Sequence, residues 1–110
     1  GFADREPARA ARLLDALPSI GDGGYVAVCE ALATFDVRDR LAGITAPVLA
    51  VAGACDVSTP PDSLRAIAEG VPGARLVVLD DVGHLAPAEV PRTVARLVAT
   101  HPVGTRTARA

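Results

Sequence analysis

The sequence predicts an α/β fold in which a helix connects two parallel strands. Residues 48–52 and 76–79 are short apolar runs, and each leads directly into a turn-rich loop. Between the runs, apolar residues recur at the i, i+3, i+4, i+7 spacing of a helix. These residues are Leu64, Ile67, Ala68 and Val71. Because the runs are apolar on both faces, they suit a parallel sheet that is covered by helices.

Residues 1–43 are expected to be helical. Pro7 suits a first helical turn, and the apolar stripe that follows it ends at Pro18. Residues 18–24 contain three glycines and are expected to form a loop. A second stripe then predicts a second helix, with Cys29 as a small core residue. The two stripes consist of Ala10, Leu13, Leu14 and Leu17, and of Tyr25, Val28, Cys29 and Leu32.

Two further segments carry signals for the ends of helices and turns. Asp36 is expected to cap a short turn that Gly43 closes, with Asp39 in a capping-box position. Thr59, followed by two prolines, marks the start of a helix, and Gly70 marks its end.

One more helix is predicted near the C-terminus. It starts near Pro91 and buries Val94, Leu97 and Val98. Residues 102–110 have no apolar periodicity, and we expect them to be a disordered tail or linker.

Composition limits the classes of partner. With 110 residues the chain is at most one domain, and its formal charge of −2 argues against nucleic acid or an anionic membrane as a partner. The charged stretch GFADREPARA lacks the apolar segment of a signal peptide, and no apolar run is long enough to cross a bilayer. Cys29 and Cys55 are too few for a disulfide framework. We therefore expect a cytoplasmic protein.

Asp56 and His84 are the candidate catalytic residues. Each follows one of the two predicted strands, and ligands bind at the carboxyl ends of parallel strands. The two side chains can therefore meet although they are far apart in the chain. A carboxylate that binds one imidazole nitrogen stabilises the imidazolium that forms when the other nitrogen takes a proton, which is the base half of a nucleophile–His–acid triad. The residues alone also allow a second interpretation, in which Asp56 caps a turn and His84 only makes structural hydrogen bonds within its loop.

Two motifs around these residues resemble the C-terminal part of the α/β-hydrolase fold. PVLAVAGACDVSTPP contains a strand, a Gly, an Asp three residues after it and a Pro-started helix. DDVGHLAPAEVP contains a Gly-His pair with a Glu and a Pro five and seven residues after the His. The resemblance implies two parallel strands with flanking helices, preceded by cap helices. It also implies that Asp56 is the triad acid and His84 the triad base.

The stretch before these motifs contains YVAVCEALATFDVRDRL at residues 25–41. It is similar to the end of the helical cap of 3-oxoadipate enol-lactonases, where a Tyr-containing helix precedes an FDxRDxL turn. Residues 1–43 are then the end of the cap, and residues 44–101 the C-terminal part of the hydrolase core. The resemblance implies hydrolysis of an enol-lactone carboxylate, a small-molecule substrate of aromatic-compound catabolism, by Ser-His-Asp catalysis without a metal or organic cofactor. Other lactonases, esterases and perhydrolases are alternatives.

The sequence lacks two parts of the family's pattern, the nucleophile elbow and the strand and loop that supply the oxyanion hole. It contains no GxSxG, and its serines, Ser19, Ser58 and Ser63, do not follow a predicted strand at an elbow. We therefore expect a fragment of a hydrolase that is inactive alone and forms a homo-oligomer or pairs with the missing N-terminal part. The rival hypothesis is a non-catalytic α/β module that binds a partner through its strand edge. A strand followed by GxSxG in the gene upstream would decide between them.

Two other chemistries at the candidate site are disfavoured. Cys55 could act as a thiol nucleophile, but its position varies freely in the family's pattern. A metal site formed by Cys55, Asp56 and His84 lacks a fourth ligand at a useful spacing.

The remaining polar and aromatic residues are expected to have structural roles. Glu89 should bond the loop backbone and orient the loop of His84, and His101 should be solvated at the end of the last helix. Tyr25 and Phe35 are expected to pack in the core rather than to line a substrate pocket. Surface ion pairs are the expected role of Arg38 and Arg40, and contact with an anionic substrate is the alternative.

Overall fold

The computed structural model describes residues 1–19 and 21–102. The chain divides into two compact units, Gly1–Asp39 and Arg40–Ala110, so the boundary falls four residues before the one drawn from the sequence. Of the predicted tail, residues 103–110 lie outside the described residues. Within the described residues, no helix is both long enough and apolar enough to span a membrane.

The first unit is helical, as predicted. Helices α1 (Phe2–Arg5) and α2 (Pro7–Ala16) are followed by a 3₁₀ turn (Leu17–Ser19) and by α3 (Asp22–Thr34). The predicted loop at residues 18–24 is therefore too long, because α3 begins at Asp22. The carbonyl of Gly21 accepts hydrogen bonds from the backbone amides of two residues in the first turn of α3, which fixes the start of the helix there.

The predicted burial of Cys29, Tyr25 and Phe35 is wrong. Ala10 is the one buried residue among the described part of this unit, and Cys29, Tyr25 and Phe35 are exposed. Helical periodicity gathers apolar side chains on a face, but burial also needs an opposing surface, which the described part of Gly1–Asp39 does not provide. The exposed members of the stripes are Leu13, Leu14, Leu17, Tyr25, Val28, Cys29 and Leu32.

The predicted cap at Asp36 is confirmed. Its Oδ1 accepts a hydrogen bond from the backbone amide of Arg38 at 3.1 Å, at the start of a 3₁₀ helix (Arg38–Gly43) that ends at the predicted glycine. The Arg38 guanidinium also donates to both carboxylate oxygens of Asp36, so the expected surface ion pair of Arg38 is confirmed. These hydrogen bonds lower the pKa of Asp36 to about 2.

The second unit contains the predicted βαβ element. Strand β1 (Leu49–Gly53) pairs in parallel with β2 (Arg75–Leu79), and α4 (Pro61–Gly70) connects them. The register places Gly53 opposite Leu79, so both strands end at the same edge of the sheet. This arrangement confirms the predicted order and direction of the strands. The strand boundaries differ from the predicted ones by at most one residue.

Two helices follow β2. The short α5 (Ala86–Glu89), which was not predicted, precedes α6 (Pro91–Ala99), which begins at the predicted proline. Val94 and Leu97 are half-buried, whereas Val98 is 62% exposed, so its predicted burial is wrong. Around the strands the buried apolar residues are mostly small; they are Leu41, Ala50, Ala52, Val71, Val82 and Ala86.

The loop after β2 lies directly against the end of β1 at Gly53. A Cβ atom on Gly53 would lie 2.3 Å from the carbonyl oxygen of Gly83 and 2.4 Å from that of Val82. Two backbone hydrogen bonds hold the loops after the strands together: Ala54 N donates to the carbonyl of Leu79 at 2.9 Å, and the next amide donates to the carbonyl of Val82 at 2.8 Å. Position 53 therefore requires glycine.

Gly53→Ala should lower the free energy of unfolding by about 2 kcal/mol or more, because the added methyl group meets backbone oxygens that cannot move without displacing the loop. Urea unfolding followed by circular dichroism measures the change. Gly43→Ala is the matched control, since a Cβ at Gly43 would have no atom within 4 Å, and its effect should stay within about 0.5 kcal/mol. Equal stability of the two variants would contradict the close approach at Gly53.

Candidate active site

Asp56 and His84 are in hydrogen-bonding contact, as the sequence predicted. The Oδ2 atom of Asp56 lies 2.9 Å from Nδ1 of His84, across 28 positions of the chain. The parallel register brings the ends of β1 and β2 to one edge of the sheet, and the contact at Gly53 then holds the two loops together. The fold therefore brings the two candidate residues into contact.

Asp56 also caps the turn that leads into α4. Its Oδ1 accepts hydrogen bonds from the backbone amides of Ser58 at 2.9 Å and Thr59 at 3.0 Å, while its Oδ2 accepts one from the Thr59 hydroxyl at 2.8 Å. Asp56 therefore caps a turn, as the second interpretation expected, and also makes the contact with the imidazole that the first interpretation requires. One carboxylate caps a turn through one oxygen and binds the imidazole through the other.

These contacts keep Asp56 ionised. The hydrogen bond from the Thr59 amide, followed by those from the His84 ring, the Thr59 hydroxyl and the Ser58 amide, lowers the pKa of Asp56 far below its ordinary range. Burial opposes this shift, since the side chain is only 6% exposed, but the hydrogen bonds outweigh it. A carboxylate can only accept hydrogen bonds, so Asp56 constrains the protonation of its partner.

The constraint fixes the tautomer of His84. Because Oδ2 of Asp56 only accepts, Nδ1 of His84 carries the proton that bridges them, and Nε2 of the neutral ring keeps its lone pair. Within residues 1–19 and 21–102, Nε2 makes no hydrogen bond. The side chain of His84 is 55% exposed. Nε2 is therefore placed to take a proton from a group that approaches from outside the loops.

Glu89 holds the loop that carries His84. Its two carboxylate oxygens accept from the backbone amide of Gly83, at 3.0 and 3.1 Å. Because Gly83 immediately precedes His84, this contact confirms the expected bond between Glu89 and the loop backbone. Glu89 lies in α5, so the short unpredicted helix is the element that supplies the contact.

Thr59 is the site residue that sequence reasoning missed. The sequence pattern marks it only as the start of a helix, yet its hydroxyl contacts Asp56 and also lies 3.3 Å from Nδ1 of His84. The spacing of Thr59 three residues after an Asp that precedes a helix was a signal for the first contact. The second contact spans 25 positions and could not be read from local spacing.

The other candidates lie outside this arrangement. The thiol of Cys55 is exposed. Within the described chain there is no group of three or more His, Cys, Asp and Glu side chains that could hold a metal ion. His101, which was expected to be solvated, has both ring nitrogens buried without a hydrogen-bond partner among the described residues, so that expectation is wrong. Its backbone amide donates to the carbonyl of Val98, so the chain continues the turn of α6 at this point.

Comparison with known proteins identifies relatives of this chain, although no family model matches it. The chain is 35% identical over 92 residues to 3-oxoadipate enol-lactonase 2 of Acinetobacter baylyi, which covers 84% of the chain and 34% of that protein. It is 41% identical over 62 residues to rhodomycin D methylesterase of Streptomyces sp. (strain C5), which covers 56% of the chain and 21% of that protein. The crystal structure of the enol-lactonase from Burkholderia xenovorans LB400 matches with a TM-score of 0.84 and 31% identity, over 89% of the chain and 37% of that structure.

These relatives are α/β-hydrolases, and the chain has part of the α/β-hydrolase fold. Among them it resembles 3-oxoadipate enol-lactonase, as its motifs indicated. The predicted fold class and family resemblance are confirmed. The chain spans between about a fifth and a third of the length of the curated relatives it matches.

Asp56 should make the stability of the chain depend on acid pH. Its pKa in the folded chain is lower than the ordinary value of 3.8, so its contribution is complete above about pH 5 and is lost as the pH falls through 3.8 towards the folded-state value. Asp56→Asn should therefore flatten the dependence of the unfolding free energy on pH between about pH 5 and pH 2. Urea unfolding at a series of pH values measures the slope.

Asp80→Asn serves as the control, since Asp80 is exposed and follows the other strand. This variant should keep the slope of the unchanged chain. A slope that Asp56→Asn leaves unaltered would contradict the hydrogen-bonded carboxylate.

Proposed function

We propose that this chain supplies the acid–base half of a Ser-His-Asp hydrolase site. The observation that carries the proposal is the 2.9 Å contact between Asp56 and His84 at the shared edge of two parallel strands. In this role His84 is the general base and then the general acid, and Asp56 orients it. The similarity to hydrolases supports the same role.

The geometry supports a specific sequence of proton transfers. Nε2 of His84 takes the proton of a serine hydroxyl as that oxygen attacks a carbonyl carbon, and the same proton is then given to the leaving oxygen. The Nδ1–H group stays bonded to Asp56 throughout, so the positive charge that forms on the ring faces a fixed carboxylate. A water molecule then repeats the cycle and releases the acid. The serine and the oxyanion donors belong to the part of the protein outside these 110 residues.

We propose an enol-lactone carboxylate as the substrate. The matches to enol-lactonases extend over 84% and 89% of the chain and so include much of the helical unit Gly1–Asp39. The match to the methylesterase covers 56% of the chain. Hydrolysis of a carboxylic ester is the second candidate, because the methylesterase has the higher identity over the residues it does match.

His84→Ala should abolish the hydrolytic activity of the longer protein that contains this chain. Without the imidazole no group takes the serine proton, and kcat should fall by about 10³-fold or more while KM changes little. Steady-state hydrolysis of an enol-lactone and of an aryl ester measures the effect and also separates the two candidate substrates.

His101→Ala is the matched control for the loss of an imidazole. It removes the second histidine of the chain, whose ring nitrogens make no hydrogen bond to the described residues, and it should keep most of the activity of any variant that folds. The 110-residue chain alone should show no turnover above its own His84→Ala variant, because it lacks a GxSxG motif. Turnover by the isolated chain above that level would contradict the proposal and would direct attention to Cys55 as a nucleophile.

A further inference from the structure

Thr59 contacts both members of the candidate dyad. Its hydroxyl oxygen lies 2.8 Å from Oδ2 of Asp56 and 3.3 Å from Nδ1 of His84. With the 2.9 Å contact between Asp56 and His84, these distances close a triangle of three side chains. We propose that Thr59 is a positioning residue that fixes both the carboxylate and the imidazole, and this inference rests on the proposed function for its place in catalysis.

The direction of each hydrogen bond follows from the chemistry of the three groups. Asp56 is an acceptor only, so the Thr59 hydroxyl donates its proton to Oδ2. The lone pairs of the hydroxyl oxygen then remain for Nδ1–H of His84, whose proton is shared between Oδ2 at 2.9 Å and the hydroxyl at 3.3 Å. The proton on Nδ1 thus has a stronger and a weaker acceptor.

Thr59 holds both oxygens of the carboxylate. Its backbone amide donates to Oδ1 of Asp56 at 3.0 Å, and its hydroxyl donates to Oδ2. A carboxylate bound at both oxygens by one residue cannot rotate about its own axis without breaking one of these bonds. The orientation of Oδ2 towards His84 is therefore set by Thr59 and not by the histidine alone.

The sequence around Thr59 makes the position rigid. Pro60 follows it, and a residue before proline is restricted to extended backbone conformations. Pro60 has a φ of −61°, and α4 starts at the next residue. The hydroxyl is thus placed by the start of a helix that packs on β1, whereas a side chain in a free loop would sample many positions.

Nuclear magnetic resonance of the isotopically labelled 110-residue chain tests this role without any turnover. In the unchanged chain neutral His84 should be protonated at Nδ1, and its Hδ1 should show a cross-relaxation signal to the side-chain protons of Thr59. Thr59→Val, which keeps the shape but removes the hydroxyl, should make exchange of Hδ1 with water about fivefold faster, as expected for the loss of one hydrogen bond. Thr59→Ser should restore the rate of the unchanged chain to within about twofold, since it restores the same donor and acceptor.

Thr45→Val is the matched control, because it is the same substitution at an exposed threonine whose hydroxyl makes no hydrogen bond to the described residues. It should leave the Hδ1 exchange rate unchanged. A rate in Thr59→Val equal to that in Thr45→Val would overturn the proposal. Absence of the Hδ1–Thr59 signal in the unchanged chain would overturn it as well, even if Thr59→Val does not fold.

The two proposals fail separately. If Thr59→Val speeds the exchange of Hδ1 but the longer protein hydrolyses neither test substrate, Thr59 still positions His84 and the proposed hydrolase function is wrong. If the longer protein is a His84-dependent hydrolase and Thr59→Val leaves Hδ1 unaffected, the function stands and the positioning role is wrong.

Discussion

The close approach of two backbone segments at Gly53 is the constraint on which the candidate site depends. The parallel pairing of β1 and β2 brings two loops to one edge of the sheet, but pairing alone leaves the loops free to diverge. The carbonyls of Val82 and Gly83 lie where a side chain at position 53 would be. This contact and the two backbone hydrogen bonds donated by Ala54 and Cys55 hold the segment before His84 against the end of β1.

Structural and chemical roles are combined in the same side chains of this site. Asp56 caps the turn into α4 with one oxygen and holds the imidazole with the other, so the stability of the turn and the orientation of His84 depend on one ionised group. Glu89 has a parallel role on the other side, because it binds the backbone amide of Gly83. In the proposed role, a base that is oriented before substrate binds would not need to be ordered at the moment of reaction, which is the advantage of a preorganised site.

Much of this arrangement could be predicted from the sequence, and the reasons for success and failure are physical. The direction of the strands and the meeting of Asp56 with His84 follow from two apolar runs and one helical period, because a βαβ unit has few alternatives. The exposure of Cys29 could not be predicted in this way, since periodicity defines a face but not the surface opposite it. The contact between Thr59 and His84 could not be predicted either, because it depends on the position of a loop that lies 25 residues away in the sequence.

The most direct test of the account is a crystal structure of the longer protein after reaction with an aryl phosphonate, which labels an activated serine covalently. We expect phosphorus bonded to a serine oxygen, with Nε2 of His84 within about 3 Å of that oxygen or of the leaving-group position and with the contact between Nδ1 and Asp56 kept. Absence of labelling would contradict it. A label on a residue that His84 does not reach would contradict it as well, and would show that the Asp56–His84 pair only stabilises its loops.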